Sequence, residues 1–209
     1  MVRHKTFISY HHGNEQNEKN RIVEEFKDED FIDASVSEGD IDINLSEDSI
    51  MRKIRDQYLK DSSVTLILIG RETASRPFIN SEIQASLWGD NPNGLLAVVT
   101  DDLYEYIYDA SVCNCGTKVR IPVNHDLYLP DLVKKNREIE RNSNRKSECH
   151  YSDSELYCSL ISYSQFLDNP DYYIHDAYIK RTELDYNIAK KLDKSTPKIQ
   201  KNIYSNLAN

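Results

Sequence analysis

The stretch Val64-Thr-Leu-Ile-Leu-Ile-Gly70 decides the fold of this chain. It is an almost uninterrupted apolar run of strand length, and it lacks the alternation of polar and apolar residues that marks a strand with one solvent-facing side. A strand covered by helices on both faces has this composition. We therefore predict that residues 64–70 form a central strand of a parallel sheet.

The sequence on both sides of this stretch alternates between strand and helix patterns. Strands are predicted at residues 5–10, 31–36 and 94–100, and helices at residues 15–29, 46–58 and 76–88. Such alternation is typical of a doubly wound α/β layer, in which ligands bind at the carboxyl ends of the strands. We predict an α/β fold with a doubly wound parallel sheet and a ligand site at that edge.

The regular alternation ends after Asp102, and no linker rich in Gly, Pro or Ser divides the chain. A last strand at residues 157–163 and a helix that begins after Asn169-Pro170 are expected near the end. We predict a single domain over residues 1–209. Its parts are a core at about 4–102, an irregular insertion at about 103–155, and a C-terminal strand and helix at about 156–192.

Composition excludes several classes of protein. The chain has 209 residues and a formal net charge of -9, which disfavours binding to nucleic acid by general electrostatics. No apolar run approaches the roughly 20 residues that cross a bilayer, and the N-terminal segment lacks the apolar core of a signal peptide. We expect a cytoplasmic protein that binds neither nucleic acid nor membrane.

The four cysteines are Cys113, Cys115, Cys149 and Cys158. Their spacing fits no standard zinc module, although a site that also uses His150 is a conceivable alternative. Thiols of cytosolic proteins are commonly free. We therefore expect no metal site and no disulfide.

The helix after the central strand carries an unusual carboxylate. The helix is predicted to begin with Ser75 as its N-cap and Pro77 in its first turn. Four apolar residues fall on one face of this helix: Phe78, Ile79, Ile83 and Leu87. Glu82 points out of the same face, where its charge is costly to desolvate. Such a group is either capped by a donor or arranged to meet a cationic partner, and we favour a cationic substrate. The plainer interpretation is an ordinary helix carboxylate that answers Arg71 or Arg76.

Missing motifs remove several functions of doubly wound sheets. The chain has no G-x-G-x-x-G after its first strand, no G-x-x-x-x-G-K-[ST] and no G-x-S-x-G. The third strand does not end in the aspartate of a phosphoacceptor domain. What remains is a small α/β domain with a carboxylate at its ligand edge.

Five short motifs in order resemble the TIR-like proteins of bacteria and archaea, including the TIR sensor component of Thoeris anti-phage defence. They lie at residues 7–12, 31–36 with 39–41, 54–59, 64–70 and 81–83. The resemblance covers about residues 4–100 and, more loosely, the helix from Asn169. It implies a flavodoxin-like TIR fold and an enzyme that cleaves the nicotinamide glycosidic bond of NAD, as a hydrolase or a cyclase.

The resemblance also implies site residues and partners. Glu82 occupies the place of the family's catalytic glutamate, early in the helix after the third strand. A tryptophan commonly precedes that glutamate, whereas Ile79, Asn80 and Ser81 do so here. NAD would be the substrate, with no cofactor. By analogy with Thoeris members, a phage trigger would start synthesis of a cyclic ADP-ribose-type messenger for a downstream effector. Activation would involve assembly into a homo-oligomer.

Further substrate contacts are expected from the ends of the first two strands and from the start of the Glu82 helix. The candidates are Phe7, Ser9, Tyr10, His11, Asp33, Ser35 and Phe78. Each has a plainer interpretation: an exposed loop for His11, turn capping for Asp33 and Ser35, and core packing for Phe78.

A non-enzymatic interaction module is the competing functional class. TIR-type domains also assemble through their helices and through the loop after the second strand. The insertion and the negative net charge would then serve docking to a partner. An assay for nicotinamide release from NAD separates the two classes.

Overall fold

A computed structural model of the chain describes residues 4–26, 31–32, 45–138, 153–183 and 186–192. The strands are β1 (Thr6–Ser9), β2 (Phe31–Ile32), β3 (Val64–Ile69), β4 (Gly94–Val99), β5 (Tyr108–Val112), β6 (Lys118–Pro122) and β7 (Cys158–Ser162). The α-helices are α1 (Gln16–Phe26), α2 (Glu47–Gln57), α3 (Pro77–Ser86), α4 (Asp101–Tyr106), α5 (His125–Tyr128), α6 (Asp131–Lys135), α7 (Tyr163–Asp168) and α8 (Pro170–Lys180). Two 3-10 turns span Thr73–Ser75 and Asp153–Glu155.

Five strands form a parallel sheet in the order β2-β1-β3-β4-β7. This is the strand order of flavodoxin-like sheets, with β7 in the place of the fifth strand. β3 lies in the middle, and all six of its residues are buried. The predicted α/β fold and the central position of residues 64–70 are therefore confirmed.

Both faces of β3 are covered, which explains its continuous apolar sequence. Ile67 and Ile69 belong to one cluster of buried side chains, together with residues of α3 and α6. Leu66 and Leu68 belong to a second cluster, which includes residues of α1, α7 and α8. Successive side chains of a strand point to opposite faces, so a strand buried on both sides needs an apolar residue at nearly every position.

α2 begins where its sequence predicts. The Ser46 side chain caps it by accepting a hydrogen bond from the backbone N–H of Ser49. Ile50 and Ile54 are buried against Phe7 and Ala85 in a third cluster. α2 therefore packs beside α3 and helps to hold it over β1.

The segment predicted to be an irregular insertion contains regular structure. β5 and β6 form an antiparallel hairpin, followed by α5 and α6. Most residues of both strands are partly or fully exposed, so the alternation that marks a half-buried strand is weak. The hairpin is consequently difficult to recognise from the sequence.

The C-terminal strand and helix form as predicted. β7 pairs with β4, and the Asn169 side chain caps α8 by accepting from the backbone N–H of Tyr172. Because β7 completes the sheet begun by residues 6–99, we propose that the chain is a single domain. Among the described residues, none of the helices has the length and apolar character needed to span a membrane.

Candidate functional site

The carboxyl ends of β1 and β3 meet the N-terminal half of α3 at one edge of the sheet. α3 begins at Pro77, as predicted, but its N-cap is Arg76 and no side chain caps it. The prediction of Ser75 as the N-cap is therefore wrong. Ser75 ends a 3-10 turn instead, and its hydroxyl donates to the backbone oxygen of Glu72 at 2.7 Å.

Glu82 is buried between α3 and the sheet, with 1% of its surface exposed. Its Oε2 accepts a hydrogen bond of 2.5 Å from the hydroxyl of Ser9, the last residue of β1. Ser9 is itself fully buried. A hydrogen bond from a hydroxyl to a carboxylate is short and strong when water is excluded, so Ser9 orients the Glu82 side chain.

The backbone of α3 is also tied to the sheet beside Glu82. Ser86 donates its hydroxyl to the Glu82 carbonyl oxygen and accepts from the Thr65 hydroxyl, both at 2.8 Å. Thr65 belongs to β3, one strand away from Ser9. The position of Glu82 is therefore set by contacts to two neighbouring strands.

The two arginines that could pair with Glu82 have other partners. Arg71 lies 3.2 Å from a carboxylate oxygen of Asp102, and Arg76 pairs with Glu72. Both of these pairs are substantially exposed to solvent. The structure therefore gives no support to the interpretation in which Glu82 forms an ion pair with Arg71 or Arg76.

A second buried carboxylate, Glu15, lies at the same edge and was missed by the sequence analysis. It is 2% exposed, and its Oε2 accepts from the backbone N–H of His11 at 3.0 Å and from the hydroxyl of Thr73 at 3.2 Å. Burial raises the pKa of Glu15, and these two hydrogen bonds oppose the shift. Glu15 thus joins the loop after β1 to the turn after β3.

Gly70 is the one sequence signal that points to this contact. A Cβ at Gly70 would lie 2.1 Å from Oε1 of Glu15, so only glycine allows the carboxylate to approach the end of β3. The Gly70 N–H also donates to the Thr73 hydroxyl at 2.8 Å. A glycine at the end of a buried strand indicates such a close approach, but it does not identify the approaching residue.

His11 lies at the sheet edge, as predicted. Its Nδ1 is buried and has no hydrogen-bond partner within the described residues. Burial, followed by the charge of Arg76, lowers the pKa of His11. The loop after β1 and the start of α3 are therefore neighbours, and His11 is neutral at pH 7.

The remaining candidates occupy different environments. Tyr10 is almost fully buried, and its hydroxyl donates to the Gln16 side chain at 3.1 Å. Phe7 has no exposed surface, and half-buried Phe78 packs against the same cluster, which agrees with a core role for both in this conformation. Asp33 and Ser35 lie outside the described residues.

No disulfide joins any two of the described cysteines, which are Cys113, Cys115 and Cys158. Cys149 lies outside the described part of the chain. Across the ranges that the structure describes, no group of three or more His, Cys, Asp or Glu side chains could hold a metal ion.

Comparison with known families agrees with this architecture. The family model for the Thoeris protein ThsB, TIR-like domain, matches residues 7–104, just under half of the chain. The matched segment contains β2 to β4, all of β1 except Thr6, and both Ser9 and Glu82. No curated protein is significantly similar to the chain. Over residues 7–104, the chain is therefore similar to the TIR-like domain of the Thoeris protein ThsB.

Proposed function

We propose that this protein cleaves the bond between nicotinamide and ribose in NAD, with Glu82 as the catalytic residue. The observation that carries the proposal is the Glu82 carboxylate, buried at the carboxyl edge of the sheet and held by the Ser9 hydroxyl. Ligands of doubly wound sheets bind at this edge. The test is nicotinamide release from NAD by the wild-type protein and by the Glu82→Gln variant.

The chemistry requires a single carboxylate. Breaking the nicotinamide–ribose bond develops positive charge on the ribose, as in glycoside hydrolysis. A carboxylate held beside the ribose stabilises that charge and accepts hydrogen bonds from the ribose hydroxyls. Nicotinamide leaves as a neutral molecule, so no general acid is needed. Attack by water gives ADP-ribose, and attack by a group of the same molecule gives a cyclic product.

The surrounding residues have different roles in this proposal. Ser9 orients the Glu82 carboxylate, and His11 and Tyr10 border the region that accepts the rest of NAD. Asp33, Ser35 and Phe78 are proposed contacts from the neighbouring segments, whereas Phe7 supports the site from the core. Glu15 positions the loop that carries His11.

Burial of Glu82 has a consequence for activity. With 1% of its surface exposed, the carboxylate contacts a substrate only after a local opening of the site. We propose that a phage trigger or assembly into a homo-oligomer favours the open state in the cytoplasm. The product, a diffusible cyclic ADP-ribose-type nucleotide, would then act on a downstream effector.

Dilute purified protein is therefore expected to turn over NAD slowly. Only a small open population contributes, and the apparent rate falls with that fraction. Nicotinamide release should rise when the protein is concentrated or crowded into an assembly. Fast turnover by a dilute monomer, equal to that of the assembled protein, would contradict the proposed opening step.

Ser9→Ala is expected to lower both stability and activity. The change removes the hydrogen bond to a buried carboxylate, which costs about 2 kcal/mol of the free energy of unfolding. Because the Glu82 carboxylate is then no longer held in place, the rate of nicotinamide release should fall about tenfold to hundredfold. Thermal unfolding and nicotinamide release measure the two effects.

Ser63→Ala is the matched control, because Ser63 precedes β3 at the end away from Glu82 and its hydroxyl makes a long contact of 3.4 Å to the Lys5 carbonyl. It should change neither quantity appreciably. Full activity in a Ser9→Ala protein would show that Ser9 has no positioning role.

A further inference from the structure

A cavity lies beside the β5–β6 hairpin, and we call it the hairpin cavity. It has a volume of about 830 Å³ and is bordered by the hairpin, α5, the end of α6 and the turn at Asp153–Glu155. Small-molecule sites typically have volumes of roughly 300–1,000 Å³. This hairpin cavity is therefore large enough for a small organic ligand, and Glu82 is not among the residues that line it.

Aromatic rings form part of the wall of the hairpin cavity. Tyr104 and Tyr108 have ring centroids 5.1 Å apart, and the His125 ring meets Tyr108 edge-on at 4.8 Å. The Arg120 guanidinium lies 5.2 Å from the centre of the Tyr104 ring. Stacked or edge-on rings and a guanidinium plane offer flat surfaces to a planar ligand.

Basic side chains of the hairpin cavity offer donors to an anionic group. Four basic side chains line it: Lys118, Arg120, Lys134 and Arg137. Three carboxylates also line it: Asp126, Glu138 and Asp153. Three of these cations also pair with carboxylates: Arg120 with Glu105 at 2.9 Å, Lys134 with Asp131 at 2.7 Å and Arg137 with Asp153 at 2.6 Å. Lys134 also lies 3.9 Å from a carboxylate oxygen of Asp126, whose side chain is 99% exposed and therefore well screened by water.

The guanidinium of Arg137 is a largely buried positive charge in the wall of the hairpin cavity. Its Nη1 donates to Asp153 at 2.6 Å and to the Cys158 carbonyl at 2.7 Å, and its Nη2 donates to the Tyr108 hydroxyl at 3.4 Å. The side chain is only 13% exposed. These contacts hold the guanidinium in one orientation, which reduces the entropy cost of binding an anion there.

His125 supplies a polar atom that the fold leaves unpaired. Its Nε2 is buried in the cavity wall and has no hydrogen-bond partner in the described ranges. Burial, followed by the charge of Arg137, lowers the pKa of His125 to about 4, so the ring is neutral at pH 7 and can donate or accept at this atom. A buried polar group without a partner is costly, and a ligand that pairs with it gains that energy.

We propose that the hairpin cavity is a second binding site, for a small ligand that combines a planar ring with an anionic group, in the chemical class of a nucleoside monophosphate. The ring packs against Tyr104 and Tyr108, the anion lies near Arg120 and Arg137, and His125 Nε2 bonds a polar atom of the ligand. The site does not depend on Glu82 and therefore does not depend on the reaction proposed above.

Binding of AMP to the Glu82→Gln protein tests this proposal, because that background removes turnover at the proposed NAD site, and variants of the hairpin cavity then show where AMP binds. Calorimetry should show AMP binding more tightly than adenosine or inorganic phosphate, each of which offers half of the recognised chemistry. Saturating AMP should raise the melting temperature by several degrees, since a ligand that binds only the folded state stabilises it.

Two variants locate the AMP site. His125→Phe keeps the ring but removes Nε2, and Arg120→Gln removes an exposed charge; each should weaken binding about tenfold. Arg52→Gln, which alters an exposed residue of α2, is the matched control and should leave binding unchanged. Melting curves without ligand establish that each variant is folded.

Absence of AMP binding at millimolar concentration would overturn the proposal. So would binding that both His125→Phe and Arg120→Gln leave unchanged, because the ligand would then occupy another surface. Phosphate that binds as tightly as AMP would overturn the assignment of a ligand with a planar ring.

Discussion

Glu82→Gln is expected to abolish nicotinamide release from NAD while the fold is retained. Glutamine has nearly the same shape, but it lacks the negative charge that stabilises the developing cation. Loss of one such electrostatic contact raises the barrier by on the order of 3 kcal/mol or more, which is a rate loss of a hundredfold upward. Nicotinamide release at saturating NAD measures this effect.

The stability of the Glu82→Gln protein should equal or exceed that of the wild type. The amide oxygen can still accept the hydrogen bond that Ser9 now donates to Glu82, and the cost of burying a charge is removed. Glu25→Gln, which breaks an exposed pair with Arg21, is the control for loss of a carboxylate and should change the melting temperature little. A structural role for Glu82 predicts the reverse pattern, with activity retained and the melting temperature lowered. A folded Glu82→Gln protein that still cleaves NAD would refute the proposed function.

Gly94→Ala is expected to cause the largest loss of stability among the substitutions considered. Gly94 begins β4, and a Cβ there would lie 1.9 Å from the carbonyl oxygen of Ala177 in α8. The obstacle is backbone, so the helix has to move away from the sheet. We expect a cost of about 3 kcal/mol or more, which corresponds to a fall in melting temperature on the order of 10 °C.

Gly89→Ala is the matched control for this substitution. Gly89 has a φ of 80°, but a Cβ there would meet no atom within 4 Å. The substitution carries only the backbone cost of a left-handed residue, about 1 kcal/mol. Equal melting temperatures for the two variants would show that α8 does not pack against β4 as closely as the structure indicates.

The sequence by itself determined the parallel sheet and the inward direction of the Glu82 side chain. The apolar run at residues 64–70 predicts a strand covered on both faces, and the observed clusters on either side of β3 confirm it. Ser46 predicts the start of α2, and the helical spacing of Ile79, Ile83 and Glu82 predicts that the carboxylate faces inward. These features depend on local patterns of a few residues, which a single sequence displays directly.

Local signals were less reliable at the start of α3 and in the hairpin. Ser75 and Arg76 both precede Pro77, and the sequence does not show which of them adopts the extended conformation of an N-cap; the structure selects Arg76. The strands of the hairpin have few buried side chains, so their sequence carries little alternation. Periodicity reveals an element only when one of its faces is buried.

Only the tertiary structure decided which polar groups meet. Ser9 and Glu82 are 73 residues apart, and Glu15 and Thr73 are 58 residues apart, yet each pair forms a buried hydrogen bond. The sequence shows Glu15 as one polar residue before a surface helix, and His125 as one histidine in a charged segment. Their burial follows from parallel strands that bring distant loops to one edge and from a hairpin that folds back over a cavity. Contacts of this kind join residues with no shared local pattern, so they exist only once the chain has packed.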